Sequence, residues 1–176
     1  MNIQIRQEIQ QDIPFVQHVI REAFTNEPFS DQSEHLLVSR LRNSKEFIPK
    51  LSLVAVVNDD IVGHILFSKL SVIQNENKIH EGLALAPVSV SPAYQKMGVG
   101  TALIKKGHSI ARSLGFPFVI LVGHEHYYLK FGYKHLKENI SFPFDVPRQN
   151  CFGISFFNDA LTHISGTIQY DEAFLL

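Results

Sequence analysis

A single cysteine, Cys151, stands in 176 residues, so no internal disulfide can form and a reducing compartment is expected. Neither sign of charge prevails, because 16 basic and 17 acidic residues leave a formal net charge of −1. Without a basic excess or a basic run, the chain lacks the field that draws proteins to nucleic acid or to anionic membrane. No apolar stretch approaches the roughly 20 residues of a membrane span. The N-terminal Met1-Asn2-Ile3-Gln4-Ile5-Arg6 alternates apolar and polar, without the apolar core of a secretory signal. Repeats, low-complexity tracts and Gly/Ser/Pro-rich linkers are missing as well. These absences predict a cytoplasmic protein with neither nucleic acid nor membrane as partner. Hydrophobic content of 45% and charged content of 19% then fit one globular domain spanning residues 1–176.

What the sequence does contain is alternating strand and helix patterns. Ile3 and Ile5 share one face of a first strand. Asp12 is a candidate N-cap with Pro14 in the first helical turn, followed by Val16, Val19, Ile20, Ala23 and Phe24 at helical spacing. A second helix is expected over 32–41, with Leu36, Leu37 and Leu41 on its face. Residues 51–57 and 61–73 read as a hairpin about Asn58-Asp59-Asp60, and 75–77 as the next turn. A strand over 83–90, interrupted by Pro87, precedes a helix marked by Val99, Leu103, Ile110 and Leu114 and stopped by Gly115. Residues 118–122 read as a buried strand, 123–131 as a short helix ended by Gly132, and 152–157 and 166–170 as two last strands. The class is α/β, a mixed sheet of six to seven strands flanked by helices. The strand over 152–157, read as a sheet edge, could support a homodimer, and a monomer is the other state expected.

The chemistry concentrates at Val88-Ser89-Val90-Ser91-Pro92-Ala93-Tyr94-Gln95-Lys96-Met97-Gly98-Val99-Gly100-Thr101. Proline cannot donate to a ladder, so Pro87 belongs at a bulge or an edge, and the strand is expected to splay there. Val88, Ser89 and Val90 could then pair with an extended, amide-bearing ligand. Just beyond, the N–H groups of Gln95, Lys96, Met97, Gly98, Val99, Gly100 and Thr101 gather at a helix start, where orphan donors and helix dipole favour a pyrophosphate. Gly98 and Gly100 allow close backbone approach. An amide-rich arm on a pyrophosphate is coenzyme A. A dinucleotide fingerprint fits less well, since Leu103 stands where G-x-G-x-x-G needs its third glycine.

Gln95-Lys96-Met97-Gly98-Val99-Gly100 fits Q/R-x-x-G-x-G/A and resembles the acyl-CoA signature of GNAT (GCN5-related) N-acetyltransferases. Tyr128-Leu129-Lys130-Phe131-Gly132-Tyr133 looks like the Y-x-x-x-G-F segment of the same family, with Tyr133 in place of the usual Phe. Segments 51–55, 62–68 and 166–170 are similar to a subgroup of predicted bacterial acetyltransferases, so the resemblance covers nearly the whole chain. It implies a GNAT fold with a splay after the fourth strand. It also implies acetyl-CoA as co-substrate and direct acetyl transfer to a primary amine of a small molecule or peptide in a ternary complex. Tyr128 takes the place of the family's general acid, and Tyr127 is a packing or arm-contact residue. The same binding chemistry without catalysis would instead make an acyl-CoA sensor or regulatory module.

An ammonium must lose a proton before it attacks, which for a lysine-like amine costs about 4–5 kcal/mol at pH 7. A base, or a water chain leading to one, is therefore useful, and Glu81 is the leading candidate, with Glu34 and His80 as alternatives. His124 and His126 flank Glu125 without a nearby third ligand, so no metal is expected. Cys151 reads as a small buried hydrophobe. The acceptor pocket is expected from the first two helices, the turn after residues 67–73 and the segment about 142–148, which together contain Phe29, Phe142, Phe144 and Asp145.

Overall fold

Asn58 (φ 50°) and Asp59 (φ 68°) both adopt left-handed backbone, the conformation that a two-residue hairpin turn demands. They join β2 (Phe47–Val57) to β3 (Asp60–Gln74), with Val57 opposite Asp60. Asn75 and Glu76 repeat the device, turning the chain from β3 into β4 (Lys78–Val90). These three long strands are the centre of the sheet in the computed structural model, which describes residues 1–28 and 30–175. Phe29 of the expected acceptor pocket lies outside the described residues.

The other elements are β1 (Gln4–Gln7), α1 (Ile13–Phe24), α2 (Glu34–Arg42), α3 (Val99–Ser113), β5 (Phe118–Val122), α4 (Glu125–Tyr128), β6 (Lys134–His135), β7 (Ile140–Ser141), β8 (Cys151–Ser155) and β9 (Gly166–Tyr170). The strand order is β1-β2-β3-β4-β5-β8-β6, with β9 pairing the far half of β3 and β7 pairing β9. All neighbours are antiparallel except β4–β5 and β7–β9. Nine strands exceed the expected six to seven because β6 and β7 have two residues each, too few for a periodic pattern. The strand expected over 152–157 is not an edge, since β8 is flanked by β5 and β6. The edge pairing proposed for a homodimer therefore has no free strand there.

Alternation along β2 and β3 divides the core. Leu53, Ala55, Ile65 and Phe67 turn to the α3 side with Leu103 and Ile104, while Val54 and Leu66 turn to α1 and α2 with Val16, Ile20, Val38 and Leu41. Two helix faces differ from the expected ones. On α2, Val38 is buried and Leu36 is 49% exposed. On α3, Ile104, Gly107, His108 and Ala111 turn inward, and Leu114 is exposed as the C-cap residue. Asp12 precedes α1 but does not cap it with its side chain. It instead accepts two bonds from Arg6, at 2.6 and 2.9 Å, and one from Ile9 N–H at 2.8 Å. No helix of the described residues is long and apolar enough to cross a membrane.

Candidate active site

The parallel pair β4–β5 holds register only at Leu83↔Val119 and Ala84↔Ile120, and the two strands part beyond it. On the opposite edge, β4 keeps its pairing with β3 up to Val90, through an irregularity where Ala86 and Pro87 together face Leu66. A two-against-one bulge is where a proline, with no N–H to give, is tolerated inside a sheet. The divergence opens a cleft of about 800 Å³, walled by Leu85, Pro87, Val88 and Val90 on one side and by Leu121, Val122 and Gly123 on the other.

One end of the cleft meets the start of α3. Lys96 (φ 61°) and Gly98 (φ 91°) are both left-handed, and this double turn swings the backbone into the helix. Such a backbone is costly for most residues and easy for glycine. The first helical bond runs from Ala102 N–H to the Gly98 carbonyl, which leaves Val99, Gly100 and Thr101 N–H as the open donors of the helix. A Cβ at Gly98 would meet nothing within 4 Å, so the space before these donors is open. At Gly100 a Cβ would run into the Tyr127 hydroxyl. The second glycine thus makes room for a side chain of α4. Gln95 Nε2 donates to the Val90 carbonyl at 3.2 Å, tying the loop to the parting edge of β4.

The cleft floor is an aromatic cluster. Tyr128 is 8% exposed, with Tyr127 edge-on at 5.2 Å, Tyr133 at 5.7 Å and Phe152 at 6.4 Å between ring centroids. Tyr133 in turn hydrogen-bonds the buried His108, with 2.8 Å between its hydroxyl and Nε2. Among the described residues no group hydrogen-bonds the Tyr128 hydroxyl. Burial, reinforced by neighbouring Tyr127, pushes that hydroxyl above the ordinary tyrosine value, so it stays protonated and acts as a donor. Lys130 Nζ sits 4.1 Å from the Tyr127 ring centroid and adds a cation to the wall.

Of the residues expected at the site, Val88, Val90, Gln95, Lys96, Gly98, Gly100, Thr101, Tyr127 and Tyr128 line the cleft together. Ser89, Met97 and Val99 do not line it. Ser89 is buried opposite His64 of β3, Val99 packs into the core, and Met97 is 53% exposed. Glu81 is not there either. It stands opposite Ser71 near the other end of β4, in a second hollow of about 740 Å³ with Lys69 and Tyr170. Seven residues of extended strand carry it roughly 23 Å from Val88. His80 is likewise outside, bound to Gln74 at 3.1 Å. The carboxylates that do line the cleft are Glu34 of α2 and Glu27 beyond α1, and sequence spacing singled out only the first. Glu34 accepts from Ser30 Oγ at 2.6 Å, and Glu27 pairs with His124. Phe24, Phe144, Tyr170 and Phe174 complete an aromatic mouth, with Phe142 packed behind Phe144. No group of three or more metal-binding side chains forms among the described residues.

Residues 13–133 match the family model described as the acetyltransferase (GNAT) family. An uncharacterized N-acetyltransferase of Escherichia coli (strain K12), YjhQ, is 35% identical over 128 residues, covering 73% of this chain and 70% of that protein. A GNAT family acetyltransferase from Brucella melitensis, solved in complex with acetyl-CoA, is 31% identical with a TM-score of 0.80, and 98% of each chain is covered. The Escherichia coli acetyltransferase YhbS, solved with CoA, has a TM-score of 0.87 at 24% identity, covering all of this chain and 93% of that one, and supports the fold.

Proposed function

This chain belongs to the acetyltransferase (GNAT) family, and from that premise we propose that it moves an acetyl group from acetyl-CoA directly to a primary amine of a small molecule or peptide. The observation that carries the reading is the continuity of one cleft, from the open N–H donors of α3 to the buried Tyr128 hydroxyl. The Brucella melitensis relative binds acetyl-CoA. The residues present here suit the same ligand. Val99, Gly100 and Thr101 N–H with Lys96 and Lys130 offer charge and donors to its phosphates, and the edge of β4 that β5 leaves offers backbone groups to its amide arm.

Acetyl-CoA supplies an acetyl thioester. The chain's task is to present it to a free amine and to stabilise two charges. A β4 N–H at the divergence, that of Val88 or Val90, faces the developing oxyanion. Tyr128 hydrogen-bonds the departing sulfur. A phenol held above pKa 10 is a weaker acid than a thiol near 8.5, and full transfer would run uphill by at least about 2 kcal/mol. The hydroxyl therefore stabilises the thiolate as charge builds and transfers its proton late. Glu27 and Glu34 at the other end of the cleft attract a cationic acceptor. Glu81, in the second hollow, is given no part.

Calorimetry with acetyl-CoA and a turnover screen over amino acids, polyamines, aminoglycosides and peptide amines test the proposal together. Binding with turnover of at least one amine supports it. Tight binding with no turnover across the screen leaves a non-catalytic module, and no binding at millimolar ligand rejects both.

A further inference from the structure

The cleft contains a second proton-transfer group that lies outside the Gly-rich motif. His124 follows β5 after Gly123 and occupies the N-cap position of α4, and Tyr128 is that helix's last residue. Both residues line the cleft. Across from His124 stands Glu27, beyond the C-terminal end of α1, with Oε2 3.5 Å from His124 Nε2. The pair therefore joins the two walls. Its side chains keep 64% and 43% of their exposure, so a proton taken up there has a path to water.

We propose that His124 is the general base for the acceptor amine, with Glu27 as its positioning residue. The inference rests on the acetyl-transfer reading above. An imidazole is the side chain whose ordinary titration lies nearest neutral pH. A carboxylate beside it orients the ring and stabilises the imidazolium formed when it takes a proton. The other ionisable groups on the cleft walls are Glu34, Lys96, Lys130, Tyr94, Tyr127 and Tyr170. None of these is an imidazole with a carboxylate partner across the cleft.

The acceptor ammonium gives one proton to His124, at Nδ1 when Nε2–H is turned to Glu27. The freed nitrogen lone pair attacks the thioester carbon, and the C–N bond forms. The C–S bond then breaks and its electron pair leaves with sulfur. Tyr128 passes its O–H proton to sulfur, and the second proton lost by nitrogen returns to the Tyr128 oxygen through water. The first proton leaves His124 for solvent, so ammonium and thioester yield amide, thiol and one free proton.

The test follows CoA release from acetyl-CoA with spermidine, tyramine, lysine and a free-amino peptide. Hydroxylamine, already neutral at pH 7, is run in parallel. His124→Asn should lower kcat/KM for the best of the four amines by about 10²-fold at pH 7. The deficit should narrow as pH rises and stay below about threefold with hydroxylamine. The acetyl-CoA Kd should remain within about twofold. Glu27→Gln should lower kcat/KM for the amine while sparing hydroxylamine, and Glu27→Asp should restore most of the loss, because the carboxylate orients the ring. Equal losses with amine and hydroxylamine, a deficit confined to acetyl-CoA affinity, or an effect under threefold with the amine would each overturn the assignment. A wild-type protein that turns over none of these nucleophiles would refute the acetyl-transfer reading itself, and this inference with it.

Discussion

Tyr128 is a buried tyrosine whose hydroxyl bonds no other described residue, in a wall where every other ring of its cluster packs against it. The hydroxyl oxygen keeps some access to solvent at the cleft wall, where a ligand can bond it. Tyr128→Phe should therefore leave unfolding free energy within about 0.5 kcal/mol of wild type, since no protein hydrogen bond is lost. It should lower kcat about 10²-fold with acetyl-CoA affinity unchanged. Denaturant unfolding, calorimetry and initial rates check the three parts. The place of Tyr128 in the cleft was legible because the Tyr-to-Gly spacing is local to one turn. The carboxylates were not. Glu81 and Glu34 look alike in the chain, and only the packing of β4 and α2 places one in each hollow.

Elements set the next tier. The start of α3 was readable from its glycines, yet they serve different ends. Gly98 supplies a left-handed backbone before open space, and Gly100 gives way to the Tyr127 hydroxyl. Gly100→Leu should displace that ring and weaken acetyl-CoA binding at least about tenfold, a gap near 1.4 kcal/mol. Calorimetry reads the change, and an unchanged Kd would detach this glycine from the ligand. At the start of α1, Asp12 is 5% exposed and bound by Arg6 and Ile9 N–H. Asp12→Ala should cost about 1–3 kcal/mol in denaturant unfolding, because it strands a guanidinium and a backbone donor together. Sequence reading put Asp12 at the right place and gave it the wrong partner. An N-cap needs only the following turn, whereas the Arg6 contact needs β1 to lie beside the helix start.

For the whole molecule, buried ionisable groups couple stability to pH. Burial holds His108 down, with nearby Arg112 adding to it, to about 4. Burial pushes the Glu8 carboxyl up, but His64 3.7 Å away and the hydrogen bonds from Arg42 and Ser52 more than offset this and hold it at about 2. Both folded values lie below the ordinary ones, 6.5 for His108 and 4.5 for Glu8, so both contributions are lost as pH falls. Unfolding free energy should fall between pH 6.5 and about 4 as the unfolded chain protonates a histidine the fold keeps neutral, on the order of 3 kcal/mol from His108. A second loss follows from 4.5 toward 2 through Glu8. Joint His108→Phe and Tyr133→Phe removes both members of that buried pair and should flatten the first step, read as denaturation midpoints across pH. A slope unchanged in the double variant would assign the step to other groups.

Local pattern was sufficient for much of this protein. Period-two and period-3.6 hydrophobicity, Asn-Asp turns, Pro87 at a bulge and the glycines before α3 each depend on neighbours within a few residues, and chain order alone carries them. Strand adjacency is a different matter. The burial of β8 between β5 and β6, the parting of β4 from β5 after two paired residues, and the meeting of Glu27 with His124 join segments far apart in the chain. Such contacts form only when the whole sheet closes its core, since burying both faces of the sheet fixes which strands lie side by side. The sequence thus determined that a helix start with open backbone donors and a cleft-forming tyrosine exist. The tertiary structure decided that they share one cleft, and which carboxylates and which histidine stand in it with them.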